Sequence, residues 1–104
     1  MIQKKKEIFF TFNNSDVIEE RNRLIAEKVG KILKYSNGKI QDLCGKINVL
    51  SENLVPHLLL EYLYEKLWTA TPGISRKDIQ NIISSCHSEA FDRVQSNNPE
   101  VWNS

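Results

Sequence analysis

Between Leu54 and Trp68 the chain carries ten large apolar side chains: Leu54, Val55, Leu58, Leu59, Leu60, Tyr62, Leu63, Tyr64, Leu67 and Trp68. Wound as a helix at 100° per residue, these surround most of the circumference and leave mainly His57, Glu61, Glu65 and Lys66 for water. Such a helix is either central in a bundle or covered by a second subunit. The rest of the chain must therefore supply the surrounding helices, or another molecule must.

The remaining periodicities point the same way. Ile18, Ile25, Val29 and Ile32 form one stripe, widened by Val17, Leu24 and Leu33. Asn14 or Ser15 reads as the cap of this first helix, Glu19–Arg23 and Glu27–Lys31 as its supporting pairs, and Asn37-Gly38 as its stop. A short second helix follows from Ile40, Leu43, Cys44, Ile47 and Leu50, weakened by Gly45. Asn53 is placed to cap the third, with Pro56 in its first turn and Thr71-Pro72-Gly73 as its end. Ser75 and Asp78 resemble a capping box for a fourth, whose apolar face is Ile79, Ile82, Ile83, Cys86, Ala90, Phe91 and Val94. Glu7–Phe12 (EIFFTF) is rich in β-prone residues and is expected as an extended arm. Leu58 and Ile83 are expected in the core.

With 104 residues, 40% of them hydrophobic and 26% charged, one domain can remove roughly 65% of its unfolded-state surface from water. The fold expected is all-α: a compact three- to four-helix bundle or orthogonal helical array with an extended N-terminal arm. Residues 1–14 are the arm, 15–96 the helical core and 97–104 a C-terminal tail, in which Val101-Trp102 folds back as an anchor.

The formal net charge is only +1, which disfavours a dedicated polyanion binder. Residues 1–50 hold 10 basic and 6 acidic side chains, however, and residues 51–104 hold 4 and 7. The first half is thus the cationic one. Cys44 and Cys86 lie far apart on apolar stripes and read as buried thiols of a reducing compartment; a disulfide would require the second and fourth helices to be adjacent. Lys4-Lys5-Lys6 before Ile8-Phe9-Phe10 lacks the length and cleavage pattern of a signal peptide. No apolar run approaches a membrane span, so the expected location is cytoplasmic, with no membrane partner.

Residues 40–58 (IQDLCGKINVLSENLVPHL) resemble a helix-turn-helix over 19 of the 104 positions. Cys44 stands at the small-residue position, Asn48 in the turn, Val49 after it, and Leu54 and Leu58 at the anchors of the second helix. The resemblance implies a DNA-binding transcriptional regulator, dimeric if it reads a palindrome. Ser51, Asn53 and His57 would then face the duplex, and Lys39 and Lys46 the phosphates.

Catalysis finds little support. His57 and His87 have no metal-ligand spacing, and no glycine-rich phosphate loop, nucleophile elbow or HExxH is present. No enzyme activity, cofactor or metal is expected. The favoured reading is a small non-catalytic accessory or regulatory protein that binds protein and forms homo-oligomers. Phe9, Phe10, Tyr62, Tyr64, Trp68 and Trp102 are its candidate interface. DNA binding through residues 40–58 is the alternative, ranked second because of the charge balance and because Pro56 would interrupt a recognition helix begun near Ser51.

Overall fold

A computed structural model describes residues 2–53, 55 and 57–97, with side chains described for 16–53, 55 and 57–96. Four helices follow one another: α1 Ile2–Ile32, α2 Asn37–Glu52, α3 His57–Trp68 and α4 Arg76–Asn97. No strand occurs among the described residues. The fold is an all-α helical bundle.

The N-terminal segment departs from expectation. Residues 2–14 are helical and continuous with α1, so the extended arm is overturned. A lone strand leaves its backbone groups unpaired, whereas a helix satisfies them within itself. Lys4, Lys5, Lys6 and Glu7 are good helix formers, and no glycine or proline precedes Gly30. Asn14 and Ser15 therefore lie inside the helix and not at its start.

The end of α1 is also set differently. Lys34 adopts a positive φ of 59°. Tyr35 N–H donates to the Gly30 carbonyl at 2.9 Å and Lys34 N–H to that of Lys31 at 3.2 Å. This is the paired closure of a helix that usually employs glycine at the left-handed position. Ser36 then caps α2, its Oγ accepting from Lys39 N–H at 3.4 Å. Asn37-Gly38 accordingly begins α2 and does not stop α1. The Thr71–Ile74 turn, with Gly73 at φ 85°, closes the third connection as expected. The capping box of α4 is reciprocal: Ser75 N–H donates to Asp78 Oδ2 at 2.9 Å and Asp78 N–H to Ser75 Oγ at 3.2 Å.

α1 is the central helix in that its packing against α4 and α2 is the most extensive in the bundle. α1 and α3 each touch all the other helices, while α2 and α4 do not meet among the described residues. Val17, Leu24, Ile25, Ala26 and Val29 are buried along it, facing Leu43 and Ile47 of α2, Leu59, Leu63 and Leu67 of α3, and Ile79, Cys86, Ala90 and Val94 of α4. Ile18 and Ile32 fall at the edge of this stripe and are exposed. Glu20 bridges to Arg93 at 3.3 Å, tying α1 to α4, and also holds Arg23 at 2.6 Å. Arg23 thus pairs with Glu20 and Glu27, not with Glu19. The Arg23 hydrogen bond is the main reason that the Glu20 carboxyl lies below its ordinary pKa.

Two glycines make opposite demands. A Cβ on Gly30 would stand 2.5 Å from Ile40 Cγ1, where α1 and α2 meet, whereas one on Gly45 would meet nothing within 4 Å. Gly45→Ala is expected to stabilise the protein by up to about 1 kcal/mol through helix propensity. Gly30→Ala is expected to destabilise it by about 1–3 kcal/mol through overpacking. Urea unfolding of the two variants measures both signs. Ile25→Ala, which removes a fully buried side chain, should cost about 2–5 kcal/mol in the same assay.

Candidate functional site

Asn22 is the one polar side chain fully buried among the described residues, at 1% exposure. Its Nδ2 donates to Asn48 Oδ1 at 2.8 Å and to Ser51 Oγ at 3.2 Å. Its Oδ1 accepts from Arg21 Nη2 at 2.9 Å, and Arg21 Nη2 also reaches Ser51 Oγ at 3.1 Å. Burial pulls the Arg21 guanidinium pKa down from its ordinary value. Asn48, assigned above to a turn, is thus in the middle of a continuous α2 with its side chain turned toward α1. The helix-turn-helix geometry is absent, because α2 runs without a break from Asn37 to Glu52.

The expected DNA-contact residues are dispersed accordingly. Ser51 is engaged with α1. Asn53 caps the C-terminus of α2, its backbone N–H bonding Leu50 O and its Nδ2 donating to Val49 O at 3.1 Å. Lys39 lies in the first turn of α2, roughly 20 Å of helix away. Lys46 and His57 are exposed, and Lys46 lies seven residues from Lys39 on the same side of α2. Leu54 and Pro56 lie outside the described residues. Leu58, the second anchor and an expected core residue, is 39% exposed, and Ile83 is half-buried.

The interface residues fare differently. α3 is peripheral rather than central: only Leu59, Leu63 and Leu67 are buried on it, and Trp68 is 60% exposed. His57, Glu61, Tyr64 and Trp68 follow at spacings of four, three and four, which puts them on one side of the helix. Arg76, at the start of α4, reaches back over this side. Its Nε and Nη2 meet the two Glu61 carboxylate oxygens at 2.6 and 2.9 Å, and its guanidinium lies 4.4 Å from the Tyr64 ring centre. The Trp-Tyr-Arg combination is the one most enriched where binding energy concentrates at protein interfaces.

The other flank of α3 faces α2. Tyr62 and Lys66 border a cleft of roughly 230 Å³ with Tyr35, Lys39, Asp42 and Leu43. The Lys39 ammonium lies 5.5 Å from the centre of the Tyr35 ring, and Lys66 the same distance from Tyr62. The structure thus brings Lys39, a candidate DNA contact, beside Tyr62, a candidate protein contact. Phe9 and Phe10 lie on helical backbone in α1 with side chains outside the described set, and Trp102 lies outside it entirely. Arg76 and Lys66 were missed by the sequence. The signal for Arg76 was the tight Thr71–Ile74 turn, which returns the chain onto α3.

No group of three or more His, Cys, Asp or Glu is arranged for a metal among the described residues. Cys44 and Cys86 are free thiols, and burial raises the pKa of both. No described helix is long and apolar enough to cross a membrane. Comparison with known proteins adds no relative: no family model, curated protein or solved structure matches the chain.

The Arg76 hydrogen bonds are the largest influence on Glu61 and hold its carboxyl below the ordinary carboxylate range, and they raise the pKa of Arg76 in return. A depressed carboxyl keeps the clamp closed above its ordinary pKa and releases it as pH falls through the lowered value. An NMR titration should therefore find the Glu61 midpoint below that of free glutamate, and Arg76→Leu should move it back up. An unmoved midpoint in the variant would mean that the clamp does not form.

Proposed function

We propose that the protein is a small non-catalytic accessory or regulatory protein that acts by binding protein, itself included, through the outward side of α3. The observation that carries this reading is the exposure of Trp68 beside a Tyr64 ring already covered by Arg76. A free surface tryptophan leaves a large apolar area in water, and burying it against a partner recovers that area's transfer free energy. The clamp from Glu61 to Arg76 fixes the neighbouring polar group beforehand, which reduces the ordering cost of association. Leu58, Val55 and Val49 are further exposed apolar residues on α3, ahead of it and on α2.

Recognition of DNA through residues 40–58 receives no comparable support, because the turn it needs is helix and two of its five contact residues are engaged elsewhere. Sedimentation velocity across a concentration series tests the favoured reading. The wild-type chain should self-associate, and Trp68→Ala should weaken association about tenfold or more, the loss typical of an aromatic hot spot. Because Trp68 is exposed, the variant should keep its helical circular dichroism and melting temperature. A wild-type chain that remains monomeric at all concentrations, or a variant that associates equally well, would remove Trp68 from any self-interface.

A further inference from the structure

Lys39 and Lys66 are held on the walls of the α2–α3 cleft by tyrosine rings rather than by carboxylates. Neither ammonium is in an ion pair among the described residues, and Asp42, which lines the same cleft, is within ion-pair distance of neither. The paired cations among the described residues are three arginines: Arg23 with Glu20 and Glu27, Arg76 with Glu61, and Arg93 with Glu20 and Glu89. The described lysines all lack a carboxylate, and what distinguishes Lys39 and Lys66 is that they line one cleft together. The cleft thus combines two uncompensated cations from different helices with two flat aromatic walls and an apolar floor at Leu43.

We infer that this cleft is a docking site for an acidic segment of a partner protein, one glutamate or aspartate side chain entering between Lys39 and Lys66. The inference rests on the protein-binding reading and adds the chemistry of a second partner. Charge complementarity selects the occupant: an incoming carboxylate meets two ammonium groups lining one cleft without displacing an existing ion pair. The space of roughly 230 Å³ suits a single side chain rather than a folded element. Tyr35 and Tyr62 hold the ammonium groups through their ring faces, which limits the side-chain freedom lost on binding. The Asp42 carboxylate stands against a second anion in the same space and so favours an isolated acidic side chain over a polyphosphate.

The test uses the full chain and a fluorescein-labelled oligo-glutamate peptide, followed by anisotropy at low and moderate salt and by amide chemical-shift mapping. Saturable binding is expected at low salt, with shifts concentrated at residues 35–43 and 62–66. Lys39→Glu and Lys66→Glu should each weaken it about tenfold or more; Trp68→Ala should leave it unchanged. All three side chains are exposed, so the variants should fold. Absent binding at low salt, or shifts spread evenly over the lysines of the whole chain, would overturn the inference. So would mixed-sequence duplex DNA that binds more tightly than the peptide and shows the same dependence on Lys39 and Lys66. If the two lysine variants abolish self-association in sedimentation while the peptide fails to bind, the cleft belongs to the self-interface and the acidic-segment assignment falls. Loss of the Trp68 effect alone would overturn the self-association reading and leave this one standing.

Discussion

The side-chain amide of Asn22 has been taken fully out of water at the heart of α1, and its hydrogen bonds dictate how α1 and α2 pair. An amide buried without partners costs about 1–3 kcal/mol. Sliding α2 along or around α1 would therefore be penalised, because it would separate Asn22 from Asn48 and Ser51 together. Apolar contacts alone tolerate such slips more readily, since one leucine replaces another with modest loss. The same register brings Ile40 onto Gly30 at the opposite end of the seam. It also turns Asn48 and Ser51 of α2 toward α1, where they serve the fold.

Once α1 occupies the centre, α3 is left on the outside. Its buried stripe of Leu59, Leu63 and Leu67 meets the bundle at one face only, and its remaining apolar residues spread over two flanks. The heavy apolar load of this segment thus exceeds what its position in the monomer consumes. Trp68 and Leu58 are among the apolar residues that this position leaves exposed, and that excess is the support for the protein-binding proposal.

The helix count, the all-α class and most of the core were legible because they depend on periodicity. Leu43, Ile47, Leu59, Leu63, Leu67, Ile79, Cys86, Ala90 and Val94 all lie on stripes that recur every three or four residues, and all are buried. The Ser75–Asp78 box was legible for a similar reason, as a local pattern with a local mechanism. The first interhelical boundary was not. The left-handed residue is Lys34, which carries no turn preference, while the more suggestive Asn37-Gly38 sits three residues late. Helix continuation through residues 2–14 was masked by the β propensity of Phe9, Phe10 and Phe12, a weak preference that tertiary and backbone demands override. Asn48 and Asn53 misled in the same way. An asparagine accepts a turn, a buried amide partner or a helix end, and only the packing around it decides which. Tyr62, Tyr64 and Trp68 were visible as aromatic surface, but the cation over Tyr64 was not, because Arg76 comes from α4.

These cations bear on how a small chain can carry exposed aromatic residues at all. An open tyrosine or tryptophan face is a site for unspecific association. On each flank of α3 a tyrosine face is instead occupied by a positive group, Arg76 over Tyr64 and Lys66 over Tyr62, with Lys39 over Tyr35 across the cleft. A merely greasy surface then finds its target ring already taken and hydrated. A partner that brings an anion to the cation while covering the remaining apolar area gains both terms together. Selectivity on this design comes from requiring the two at once. On the proposed reading the two flanks take different partners, because Arg76 already has Glu61 whereas Lys39 and Lys66 have no carboxylate among the described residues.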